Sequence, residues 1–211
     1  MDAVDRSQEA FASELEALKR RGCFLLVVGP GAGTTRCHDL LGDDDRDRTR
    51  LVVDTRRGPD PTPGGDSSVV RAGVDDVRSA SAATPSTGDT PAPEPPDLDA
   101  VADELVGRID RLDAAGLDAG ELRVCLGDLG ALDSDRSGDL LAFLRVVTKR
   151  VRGANGMGHA HLTDTSPLRA TVNPLFDVTV EIRPVPTGRQ QRWLLHEAGL
   201  DSGWIAVEGG T

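Results

Sequence analysis

Lysine is almost missing from this chain. Of 211 residues only Lys19 and Lys149 are lysines, tyrosine is absent, and tryptophan and phenylalanine number two and four. Nearly all the positive charge is therefore arginine, and it is outweighed by 35 acidic residues, mostly aspartate, for a net charge of −11. Such a balance excludes DNA or an anionic membrane as the main partner, because phosphate contacts need clustered Lys and Arg and weaken steeply as salt rises. The arginines are instead interleaved with aspartates, as in "GDDDRDRTR" (42–50), which reads as a solvated loop. Acidic, lysine-poor surfaces stay hydrated and mutually repelling in concentrated salt, so the composition reads as that of a halophilic cytosolic protein. Drift in a high-GC genome enriches the same residue types, and the two origins are not exclusive.

Cysteine is sparse too. Cys23, Cys37 and Cys125 are odd in number, widely spaced, and in or beside apolar runs. No pair has the spacing of zinc ligands, so buried thiols in a reducing cytosol are expected. No apolar run approaches the ~20 residues of a membrane helix. The start, "MDAVDRSQEAF", lacks the basic and apolar regions of a signal peptide. Together these give the expectation of a cytoplasmic protein.

What is present alternates between helix and strand. Residues 5–20 read as a helix ended by Gly22, with Val4 just before it and Phe11, Leu15 and Leu18 within it on one face. "CFLLVV" (23–28) and "RLVVDT" (50–55) are continuous apolar runs, as in strands buried on both faces. Between them a short helix runs through Leu40 and Leu41. Residues 57–96 are rich in Pro, Gly, Ser and Thr and read as a flexible insertion, with "SVVRAGVDDV" the one place for a short strand. Asp97 is placed to cap a helix to about Ala115, with Leu98, Val101, Leu105, Ile109 and Leu112 inward. "LRVCLG" (122–127) is a third strand. A helix over 138–152 turns Leu140, Phe143, Leu144, Val147 and Val151 to the core, and "MGHAHLT" is a fourth strand. A short helix in "SPLRATVNPLF" leads to a fifth strand, "DVTVEIRP" (177–184), and "RQQRWLLHEAG" with "GWIAVEG" reads as a closing antiparallel hairpin. The expectation is a single domain over 1–211: a mainly parallel sheet, helices on both faces, and a C-terminal antiparallel hairpin.

"VVGPGAGTTRC" (27–37) sits where a phosphate-binding loop would, between a buried strand and a helix. The usual spacing is G-x-x-x-x-G-K-[ST]. Aligned on Gly33 and Thr35, the lysine position holds Thr34, and Gly29 sits one residue too close. Thr35 could offer a hydroxyl to magnesium. Arg36 is one residue step from the missing lysine and is a poor substitute. Gly29, Pro30, Gly31 and Gly33 would equally suit a tight strand-to-helix turn with no ligand.

The segments "FLLVVGPGAGTT", "LVVDT", "LRVCLGDLGALDSDRSGDLLAFLRVVTKRVRGANGMGHAHL" and "PLFDVTVEI" together resemble the RecA/KaiC-like P-loop ATPases, closest to a divergent haloarchaeal branch with degenerate Walker motifs. The resemblance covers most of residues 22–183 and implies a three-layer RecA-like fold. In that family a Walker B aspartate is followed by a stretch like Ser-Leu-Ser-Ala-Leu, whose last four residues are Leu-Ser-Ala-Leu. Laid on Leu129–Leu132, the aspartate position falls on Gly127, and Asp128 is one residue late, a displaced Walker B acid. In a strand such a slip turns the side chain to the other face. The family's catalytic glutamate position falls on Arg56. The resemblance thus implies a pseudo-ATPase acting as a regulatory or signalling binding protein, with no catalytic residue retained and a vestigial phosphate loop of Gly29, Gly31, Gly33, Thr34, Thr35 and Arg36. ATP with magnesium would bind weakly if at all. A weak, atypical ATPase using Arg36 and Asp128, and a protein-binding scaffold without nucleotide, are the alternatives. The protein partner is unknown, and assembly of like copies stays open because RecA-like domains often form rings.

His159 and His161 form H-x-H on a predicted strand, which puts both imidazoles on one face. No cysteine or acid near them in sequence completes a metal set, so a structural role is expected and no metal. Asp133, Asp135 and Asp139 resemble part of a calcium loop, but the glycine and glutamate spacing fails and helix capping by Asp135 or Ser137 is simpler. His38 and His196 have no catalytic partner in sequence. Trp193 and Trp204 are expected to anchor the terminal hairpin.

Overall fold

The computed structural model describes residues 3–30, 40, 48–54, 67–71, 96–133 and 137–207. Helix α1 (Ala3–Arg21) leads into strand β1 (Cys23–Val28). Lys19, Arg20 and Arg21 crowd its last turn, where cations complement the helix dipole. The chain reverses at Gly22, whose φ of +78° and distance of 2.9 Å from a would-be Cβ to the Gly156 carbonyl oxygen admit only glycine. Strands β2 (Thr49–Asp54) and β3 (Ser67–Arg71) follow, the latter the one predicted inside the Pro/Ser-rich stretch. The rest of 57–96, apart from Pro96, lies outside the described residues.

Helix α2 (Leu98–Ala114) begins at Asp97, whose carboxylate accepts from the Asp99 and Ala100 amides. Then come β4 (Leu122–Asp128), a single turn α3 (Leu129–Leu132), α4 (Ser137–Gly153) and β5 (Met157–Leu162). A short helix α5 (Arg169–Val172) and a 3₁₀ turn (Asn173–Leu175) lead to β6 (Val178–Val185), β7 (Gly188–Leu195), β8 (Leu200–Asp201) and β9 (Ile205–Val207).

The strands form one sheet in the order β3-β2-β4-β5-β1-β6-β7-β8, with β9 also on β7. The pairs from β3 to β6 are parallel, and β6–β7, β7–β8 and β7–β9 are antiparallel. The expected antiparallel pairing of the two C-terminal segments is present, with β9 against β7 and Arg189 opposite Val207, and β7 has two further partners: β6, which turns directly into it with Val185 opposite Gly188, and β8.

Alternation along the strands splits the interior in two. Phe24, Leu26, Val28, Val124 and Leu126 pack against the apolar stripes of α2 and α4. Cys23, Leu25, Val27, Val178 and Val180 face the other way, toward Phe11, Leu15 and Leu18 of α1 and toward Leu40. All five inward residues predicted for α4 are buried. Burial of each such large side chain contributes roughly 1.5–3 kcal/mol. Arg150 of α4 binds Asp110 and Asp113 of α2, tying the two helices together. On the amino edge Asp177 accepts from the Phe24 amide and from Arg152 Nε, at 2.7 and 2.9 Å, clamping β6 to β1. Because β1 to β6 run parallel, their carboxyl ends share one edge, and there Gly29 and Asp128 stand.

Candidate functional site

The sheet's central strand β1 is buried along its whole length. It ends at Gly29, whose amide donates to the Leu162 carbonyl at 3.1 Å. A Cβ at Gly29 would lie 2.8 Å from the Ile182 carbonyl oxygen and 3.0 Å from Ile182 Cβ. This glycine is demanded by the approach of β6, a packing reason that holds with or without a ligand. Pro30 is exposed. Gly31, Gly33, Thr34, Thr35 and Arg36, with Cys37 and His38, lie outside the described residues, as does Arg56.

Asp128 does not follow the simple strand geometry expected of it. Cys125 is the Cα partner of His159, so a regular ladder would set residue 127 against His161. The register shifts between Cys125 and Asp128, and Asp128 is the residue opposite His161. Gly127 takes up the extra residue with φ +65°, a left-handed conformation suited to a bulge. Asp128 thus occupies the ladder position that residue 127 would have had. Its carboxylate accepts from the Gly130 amide at 2.9 Å, capping α3.

Across the same carboxyl edge, Glu181 of β6 is the Cα partner of Val28. It pairs with Arg169, and Arg192 stands 3.6 Å away. Arg169 comes from α5, so the segment after β5 is tied to β6 beside the end of β1.

A second set of groups lies inside the sheet. Register puts Cys125, His159 and Leu25 side by side on β4, β5 and β1, with His161 beside Val27. Side chains paired in this way share a face, the face that also carries Cys23 and α1. Sequence reasoning missed Cys125 here, because 34 positions separate it from His159 and only the parallel pairing of β4 and β5 joins them.

The other candidates resolve into structural roles. His196 Nδ1 lies 2.8 Å from the Phe176 carbonyl, which can only accept, so this nitrogen carries a proton; Nε2 lies 2.9 Å from Thr179 Oγ1. Asp133 ends α3, Asp139 is exposed in the first turn of α4, and Asp135 lies outside the described residues. Trp193 packs against the α1-side core and Trp204 lies under the Arg183 guanidinium at 4.0 Å, which agrees with their anchoring role. Among the described residues no helix is long and apolar enough to cross a membrane.

The fold and its carboxyl edge define an α/β protein with a mostly parallel central sheet and an antiparallel C-terminal margin. Over residues 22–182 the chain matches, and belongs to, DUF7504, a family of unknown function. No curated protein matches it.

Proposed function

We propose that this chain is a RecA/KaiC-like nucleotide-binding domain that holds a nucleoside triphosphate weakly at the carboxyl edge of its sheet, turns it over little or not at all, and acts as a regulatory binding protein. The observation that carries the reading is the bulge at Gly127, which sets Asp128 opposite His161 at the end of β4. In open parallel sheets ligands bind beyond the carboxyl ends of the strands, where the chain leaves a central strand in one direction and returns on its other side. Here β1 leads away to β2, and β6 returns on its other flank. A carboxylate on that edge is suited to a magnesium ion shared with phosphates, and backbone amides of a glycine-rich turn suit the phosphates themselves.

Turnover asks for more. Phosphoryl transfer needs a fixed cation on the phosphates and an oriented water. Threonine stands at the lysine position and arginine at the position of the catalytic glutamate. Glu181, the acid opposite Val28, is engaged by Arg169. The bulge gives the atypical-ATPase reading its best support, since Asp128 regains the register of a metal-binding acid, but the charge and the base remain unsupplied. The test is Thr34→Lys. A restored ammonium should tighten Mg-ATP binding by ~1–3 kcal/mol, the range of a charge-assisted hydrogen bond, with no gain in turnover. Equal affinity in variant and wild type would show that the short loop leaves no phosphate pocket, and the scaffold reading would replace this one.

A further inference from the structure

The chemistry at the carboxyl edge leaves Cys125, His159 and His161 unused. Their side chains are 1%, 3% and 0% exposed. Each offers one ligand-type atom, the Cys125 sulfur or a ring nitrogen, and the three atoms lie within 4.8 Å of one another. The two imidazoles meet edge to face, with centroids 5.0 Å apart. Among the described residues neither ring nitrogen of His161 has a hydrogen-bond partner. A buried polar atom left unpaired is destabilising, so an imidazole with two such atoms is a poor filler where leucine would pack without penalty. The arrangement makes sense if one of those nitrogens has a partner of another kind.

We propose that Cys125, His159 and His161 form a metal site for a thiophilic d¹⁰ cation, Cu(I) or Zn(II), inside the sheet. Thiolate and imidazole are the ligands these ions prefer. Around a bound ion with Zn–S near 2.3 Å and Zn–N near 2.0 Å, neighbouring ligand atoms stand roughly 3.3–3.8 Å apart. The observed spread therefore closes by about an ångström, within reach of small side-chain rotations. The backbone needs no change, because β4 and β5 already hold Cys125 opposite His159 and His161 two residues on. On binding, the Cys125 thiol loses its proton to solvent and both imidazoles bind as the neutral base. No electron is transferred.

Charge favours Cu(I) of the two. With one thiolate it gives a neutral centre and is satisfied by three ligands, whereas Zn(II) would leave one positive charge and an open position. The site does not depend on the nucleotide reading, since its atoms belong to strand interiors and not to the glycine loop.

The test uses the full chain, stripped of metal and reduced, titrated anaerobically with Cu(I) and separately with Zn(II) against chromophoric chelators. One ion per chain should be retained, and Co(II) as a stand-in should give a thiolate-to-metal charge-transfer band. Cys125→Ser and His161→Gln should each weaken binding by more than the ~10–100-fold that loss of an outer-shell partner costs, while Cys37→Ser should not. Tighter retention of Cu(I) identifies the monovalent ion, and tighter retention of Zn(II) the divalent one. If the ligand variants do not fold, the Cys23→Ala/Cys37→Ser chain, with Cys125 its sole thiol, must still show the band. Absence of stoichiometric Cu(I) and Zn(II) in the wild type, or binding that survives Cys125→Ser unchanged, overturns the proposal.

Discussion

Asp128 stands directly opposite His161 across the β4–β5 ladder, although counting from Cys125 and His159 would put Gly127 there. Two roles meet in this carboxylate. It caps α3 through the Gly130 amide, and in the proposed function it faces a magnesium ion. The roles separate by substitution. Asp128→Asn keeps an oxygen for the Gly130 amide, so stability should fall by less than about 0.5 kcal/mol, while Asp128→Ala loses the cap at ~0.5–2 kcal/mol. Both should remove the magnesium dependence of nucleotide affinity. Denaturant melts with and without Mg-ATP read the two effects apart. An Asn variant that keeps full magnesium dependence would confine Asp128 to capping.

Phe24 and Gly158 give a second test, of packing. They are Cα partners on β1 and β5, and a Cβ on Gly158 would lie 2.1 Å from the Phe24 ring. Phe24 is fully buried and its ring is 5.8 Å from that of Phe176, so it has no room to retreat. Gly158→Ala should cost at least the ~1–3 kcal/mol of an overpacked core. Equilibrium urea unfolding measures it, and an unchanged midpoint would show that the β1–β5 contact is looser than described.

Cys23 supplies a pH dependence. Burial first, and then the nearby Asp177 charge, push its thiol from about 9 up to about 12. A thiol held protonated in the fold but ionising when unfolded favours the native state fully below pH 9. Between 9 and 12 the unfolded chain binds fewer protons, so stability falls as pH rises, by up to ~1.4 kcal/mol per unit. Thermal melts from pH 8 to 11 should show a steeper decline for wild type than for Cys23→Ala. Parallel declines would mean that Cys23 is accessible to water.

The acidic composition makes a prediction about salt. Screening of repulsion among aspartates should raise the melting temperature as KCl increases to molar levels. A melting temperature unchanged between low and molar KCl would remove the halophilic reading.

The fold was largely legible because its core elements are periodic or continuously apolar. The stripe Leu140, Phe143, Leu144, Val147 and Val151 announces α4, Asp97 announces the start of α2, and "CFLLVV" announces a strand covered on both sides. The β6–β7 turn was harder. Polar β7, "GRQQRWLL", has no buried residue before Leu195, so hydrophobic pattern does not mark its partner. The position of Asp128 had one signal, a glycine inside a strand, which often marks a bulge. Of the Cys125–His159–His161 group the H-x-H spacing was legible, but Cys125 was not, because ladder register is a property of paired strands and is not written in either one alone.

The central claim is that the carboxyl edge binds nucleotide without appreciable turnover, and one calorimetric titration of the wild-type chain with Mg-ATP in molar KCl tests it. The account predicts heats that saturate at weak affinity and return to baseline after each injection. A sustained offset corresponding to turnover near the ~10 s⁻¹ of an ordinary enzyme would contradict the absence of catalysis, and no saturable heat at all would contradict the site.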